Sequence, residues 1–182
     1  MRRVVTGIDK DGKSVFVSDG EPPRNFKVKS TGQAVFEVWR TYGNPRLPVD
    51  DVDPTVEMTS FLPAIGEGGA LFRIVRYPGT KAIEKAVKEG ADLAAIQKER
   101  QAYGAGFVSR REENNPAMHT TDTIDYAVVV SGEVWLELDD GAEVLLKQGD
   151  TVVQNGTRHA WYHRSPEPCV LAFCMTGIGA RE

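Results

Sequence analysis

The second half of the chain alternates apolar and polar residues with a period of two, the signature of strands that bury one face. From Met118 onward the pattern predicts strands at 117–121, 124–131, 133–138, 143–146, 151–154, 158–163 and 169–176. Gly132 and Gly149 mark turns between them, and Asp139-Asp140-Gly141 is a hairpin signal. In the first half, residues 2–17 predict a hairpin turning through Asp9-Lys10-Asp11-Gly12, with Pro22 and Pro23 ending it. Gln33 to Arg40 predict a further strand, with Val35, Glu37 and Trp39 on one face and Phe36 and Val38 on the other. Tyr42 to Thr55 are rich in Pro, Asp and Gly and predict a surface loop. Gly68-Gly69 then lead into a strand over Ala70 to Tyr77, where Arg73 shares a face with Val75 and Tyr77, and Arg76 with Phe72 and Ile74.

Residues 81–103 change period. Ile83, Val87, Leu93, Ala94 and Ile96 recur at helical spacing, and Gly90 divides the segment. The segment is a short helical insertion between strands. It caps one barrel end or packs on a partner chain; a lid over a pocket is the alternative. Short strands at this spacing imply a closed barrel or sandwich rather than a βαβ fold. A length of 182 residues suits one domain with a real core. No clean linker divides it, so residues 1–78 read as an N-terminal strand extension, 79–104 as the helical insertion and 105–178 as the barrel core.

Composition narrows the function classes. Hydrophobic residues make up 41% and charged residues 26%, the balance of an ordinary globular protein. The net charge of −4 and the lack of a long basic run argue against a nucleic-acid partner. Glu112 and Glu113 directly follow the basic pair Arg110-Arg111. No apolar run is long enough to cross a bilayer, and Met1 to Thr6 do not read as a signal peptide, so the expectation is a cytoplasmic protein without a membrane partner. Cys169 and Cys174 are five apart and should face opposite sides of a sheet, both reduced and structural. Walker, dinucleotide-binding, CxxC and Gly-x-Ser-x-Gly motifs are absent.

Chemistry concentrates in the three histidines, His119, His159 and His163, all beyond residue 118. Imidazole is the usual side chain for metal binding and near-neutral proton transfer. By strand parity His119, Thr121, Thr123 and Asp125 share a face, and Asp122 points away. His159 follows an Asn155-Gly156 turn, with Trp161 and His163 in its parity. If the two strands are neighbours, His119, Asp125 and His159 converge. Trp161 and Tyr126 are candidate apolar walls. Arg73 is a candidate clamp for a substrate carboxylate. Trp135 belongs to the other side of its own sheet.

This pattern resembles the cupin superfamily. In its first motif His119 stands at the first histidine, Thr121 at the second, Asp125 at the glutamate and Gly132 at the closing glycine. In its second, Gly149 opens, Gln154 replaces the proline, Gly156 and His159 match, and His163 replaces the asparagine. The likeness covers about residues 116–176 and extends to a group of single-domain cupins with an HxTDTxDY…SGEVxLxLDDG…GDxVVQxGTxHxW signature. It implies an all-β, cupin-type double-stranded β-helix, a jelly-roll barrel with extra N-terminal strands, and a homodimer. It also implies a metal held by three histidines and a glutamate. Here the set is degenerate, and Thr121 is a poor ligand. His119, Asp125 and His159 would hold one divalent metal (Fe, Mn, Ni or Zn), or the protein is metal-free. The leading function is an enzyme using proton chemistry on a small organic acid or polyketide-like metabolite: decarboxylation, dehydration, elimination or isomerisation. His159, His119 and Asp125 would be catalytic, and Arg73, Tyr126, Trp161 and Thr121 would bind substrate. The alternatives are an Fe-type oxygenase and a non-catalytic ligand-binding barrel.

Overall fold

The computed structural model describes residues 1–47, 52–58, 60–66, 68–103, 110–112, 114–115 and 117–179. The first half contains β1 (Arg3–Ile8), β2 (Ser14–Gly20), β3 (Asn25–Val28), β4 (Gln33–Thr41), β5 (Ala70–Tyr77), α1 (Thr80–Lys88) and α2 (Leu93–Tyr103). The second half contains β6 (Arg110–Arg111), β7 (His119–Thr120), β8 (Thr123–Ser131), β9 (Glu133–Glu137), β10 (Glu143–Lys147), β11 (Thr151–Asn155), β12 (Ala160–Tyr162) and β13 (Cys169–Gly177). Gly90, at φ 87°, separates the two helices as its position in the helical stretch predicts. Parts of the 42–55 loop and of the 105–178 core, together with Glu113, lie outside the described residues.

Two sheets carry the fold. One has six strands in the order β11-β8-β13-β5-β4-β3, and the other three in the order β10-β9-β12. The core forms where their inner faces meet: Leu71, Ala127, Val129, Leu171 and Phe173 from the large sheet pack with Val134, Leu136 and Leu146 from the small one. The alternation read from sequence is visible in β8, where Thr123, Asp125, Ala127 and Val129 are buried while Tyr126 and Val130 are exposed. This inward face changes character along its length. Its C-terminal end is apolar and joins the core; its N-terminal end is polar and opens toward a cavity. Trp135 alternates with buried Val134 and Leu136 and lies against the Arg164 guanidinium outside the core. Cys169 is buried and Cys174 half-buried, and both are free thiols.

Three expectations need correction. Trp39 does not share a face with Glu37. The ladder between β4 and β5 slips between Glu37 and Trp39, so Glu37 pairs with Arg73 whereas Trp39 pairs with exposed Phe72. A bulge at Val38 reverses the parity of the rest of the strand. The predicted 117–121 strand shrinks to the two residues of β7, because the chain bends at Asp122 before β8 begins. Tyr126 is no cavity wall: it is 52% exposed, since its neighbour Asp125 takes the inward position.

Turn chemistry pins the register. Asp140 and Gly141 sit at φ 58° and φ 71°, and the Ala142 N–H donates to the Asp139 carbonyl at 3.1 Å. That two-residue, left-handed connection matches the twist of the β9–β10 hairpin. Gly132 is more constrained, because at φ 75° a Cβ there would lie 2.4 Å from the Pro168 carbonyl oxygen. Gly132→Ala should therefore cost at least about 1–3 kcal/mol, read as a lower urea midpoint at unchanged slope.

Candidate functional site

The cavity forms at the polar end of the sheets. It measures about 130 Å³ and is lined in part by Arg73, His119, Thr121, Asp125, His159 and Trp161. An outer chamber of about 430 Å³ shares Tyr77, Gln97, Arg100, His119 and Trp161 with it. The pair thus reads as an inner site with a vestibule, of a size for a small molecule.

The two histidines meet through their backbones. His119 and His159 exchange N–H to carbonyl hydrogen bonds of 2.9 Å each, an isolated antiparallel bridge. Their ring centroids are 4.3 Å apart. Each Nδ1 lies against the carbonyl two residues back, Ala117 at 2.7 Å and Thr157 at 2.9 Å. A carbonyl can only accept, so each Nδ1 carries a proton, and in the neutral ring the lone pair is on Nε2. His159 is 2% exposed, and burial pushes its imidazole below the usual histidine range, favouring the neutral base. Gln154, in the motif's proline position, bonds to Thr157 through its side-chain amide and so steadies the turn that delivers His159. Trp161 stands edge-on to both His159 and Phe173, at 6.0 and 5.7 Å, and forms a rigid wall.

Asp125 reaches the same cavity from β8 and is 4% exposed. Burial pushes its carboxyl up to about 6, against the opposing pull of a Thr123 hydroxyl bond at 2.6 Å and the Arg73 charge. The folded pKa lies above the unfolded value of 3.8, so the folded state holds the proton more tightly. The stability this contributes is present below about pH 3.8 and is lost as pH rises through about 6. Asp125→Asn should remove that decline and raise stability at pH 7.5 by about 3 kcal/mol or less. Urea titrations of both proteins across this pH range check it. A carboxyl kept where it costs stability is a functional-site signal.

Arg73 lines the cavity but is committed elsewhere. Its Nε donates to both Glu37 carboxylate oxygens at 2.9 and 3.1 Å, and Nη2 to the Phe61 carbonyl at 3.0 Å. Glu37 is fully buried, and desolvation pushes its carboxyl up while Arg73 opposes that shift. The predicted clamp is therefore one half of a buried ion pair. Arg76, on the other face, donates to the Gly32 carbonyl. His163 lies outside the inner cavity, in the vestibule wall, stacked on Tyr77 at 6.3 Å. Thr121 is buried in the inner wall, and Asp122 sits half-buried in the bend.

The helical insertion closes the cavity's end. Tyr103 of α2 stacks on Phe26 at 5.1 Å, and Gln97 and Arg100 line both chambers. These residues were invisible as site components in the sequence, because helical periodicity does not say where a helix docks. Glu37 had a signal: it is the single charge inside the apolar run Ala34 to Trp39.

The implied metal set fits only in part. His119 and His159 supply two imidazoles, and Asp125 lines the same cavity. Yet among the described residues no group of three His, Cys, Asp or Glu is arranged to hold a metal ion. The three-ligand site expected from His119, Asp125 and His159 is thus not assembled. Asp125 turns toward the Thr123 hydroxyl, and burial favours its protonated form.

Comparison with known proteins adds relatives. No family model matches the chain. It is 48% identical over 59 residues to the phomopsin biosynthesis cluster protein C' of Diaporthe leptostromiformis, covering 32% of this chain and 31% of that protein. A cupin-domain-containing oxidoreductase of Neurospora crassa is 27% identical over 163 residues, covering 87% of this chain and 64% of its own length. A cupin-domain-containing oxidoreductase of Aspergillus ruber is 27% identical over 161 residues, covering 87% and 62%. The matched stretch therefore spans less than a third of the first relative and just under two thirds of the other two. Among the described residues no helix is long and apolar enough to cross a membrane. With its paired inner sheets and its motif residues around one cavity, the chain has an all-β cupin-type fold and is similar to these cupin-domain relatives.

Proposed function

We propose that this protein is an enzyme that moves protons on a small organic acid or polyketide-like metabolite, by decarboxylation, dehydration, elimination or isomerisation. The observation that carries the reading is the His119–His159 pair, with both Nδ1 atoms anchored on carbonyls at the wall of the inner cavity. His159 serves as general base through Nε2, since burial keeps it neutral. His119 is the second proton carrier, within contact distance of it. Asp125, near half-protonation at pH 6, sets the local charge and is a proton reservoir. Trp161 and Phe173 exclude water from the reacting atoms.

The test is incubation of the protein with a panel of small organic acids in D₂O, with mass analysis of substrate and product. Solvent deuterium in a substrate or product, lost in His159→Gln, is the expected result. No exchange or product across the panel, with a folded protein that binds panel members, would leave only a binding barrel.

A second reading is an oxidoreductase, favoured by the names of the Neurospora and Aspergillus relatives. It predicts stoichiometric metal in protein purified without chelators, and oxygen consumption that depends on Fe(II). Finding those in place of deuterium exchange would replace the first reading.

A further inference from the structure

The two arginines of the cavity are not equivalent. Arg73 is buried and its charge is offset by Glu37 at 2.9 Å. Arg100 projects from the last turn of α2, lines both chambers and forms no ion pair with any described residue. Among the described residues no acidic side chain lines the vestibule around it, although the protein as a whole carries −4. A concave chamber with a cation free of any ion pair at its wall focuses field onto an anion. The walls beside Arg100 are aromatic: Tyr77 and Trp161 in both chambers, with Tyr103 and Phe173 deeper. Such walls suit a flat, unsaturated body.

We propose that Arg100 is the carboxylate-recognition residue of this site, and that the ligand is a flat, unsaturated carboxylic acid. Its acid group pairs with Arg100 at the vestibule, and its body lies between the aromatic walls toward the histidine pair. The proposal rests on the cavity being the functional site. It shifts the clamp from Arg73 to a residue on the helical insertion, so α2 reads substrate charge as well as closing the barrel.

Benzoate and benzamide are matched probes, equal in shape and different in charge. Titration calorimetry should show benzoate binding at least about tenfold more tightly than benzamide to the wild type. Arg100→Gln should bring benzoate to the benzamide level, and Arg100→Lys should recover part of the difference. Arg100 is exposed, so neither variant threatens folding. Imidazole NMR signals of His119 and His159 report occupancy of the inner site in the same samples. If both probes move those signals without a charge preference, or the preference survives in Arg100→Gln, this inference is wrong while the cavity keeps its role. If neither probe moves them, this inference is wrong, and the functional reading is decided separately by deuterium exchange across the acid panel.

Discussion

His159→Gln is expected to reduce kcat/KM by about two to four orders of magnitude, with circular dichroism and Tm near those of the wild type. The size of the effect follows from what the side chain supplies. Its backbone bridge to His119 survives the substitution, so the local fold persists. What disappears is a group combining a proton-bearing Nδ1 anchored on Thr157, a lone pair on Nε2, and a pKa lowered by burial. A glutamine amide has no comparable basicity. Loss of rate at unchanged KM would place His159 in the transition state, whereas a raised KM alone would make it a binding residue. Full activity in this variant would remove the proton-transfer account.

Glu37→Ala is the second large effect, and it concerns stability. The substitution removes the Glu37 carboxylate from the Arg73 guanidinium, which is 4% exposed. Breaking a buried pair from one side costs about 3–5 kcal/mol, enough to unfold a marginal domain near body temperature. Replacing both partners, Glu37→Leu with Arg73→Met, should recover most of that loss, because the desolvation cost of two charges goes with them. A double-mutant cycle in urea measures the coupling. Additive effects would show that the two side chains do not act as a unit. The pair also matters to the site. Arg73 fixes the Phe61 carbonyl and borders the cavity, so the single variant should loosen the wall as well as the fold.

Much of the architecture was legible because period-two alternation leaves little freedom. The buried order of Thr123, Asp125, Ala127 and Val129 follows directly from it, and the same rule forces Tyr126 outward. The glycine between the helices and the Asp140-Gly141 turn were readable because left-handed backbone selects so few residues. The bulge at Val38 was not readable, since nothing in QAVFEVWR marks an extra residue, and it carried Trp39 to the opposite face. The convergence of His119 and His159 depended on a motif rather than on pattern, because parity fixes the face of a strand and not its neighbour. The ion pair of Glu37 and Arg73 bridges residues 36 positions apart, and only the β4–β5 register reveals it. Arg100 was hidden for the same reason: an amphipathic helix announces its apolar stripe and not the chamber over which it lies.

The most direct test of the account is the protonation pattern of the two rings, read by long-range proton–nitrogen NMR at pH 7.5 with His119→Gln and His159→Gln for assignment. The account predicts a protonated Nδ1 on both rings, an unprotonated Nε2 on His159, and close contacts between the two imidazoles. A proton on His159 Nε2 with a bare Nδ1, or rings with no mutual contact, would contradict it.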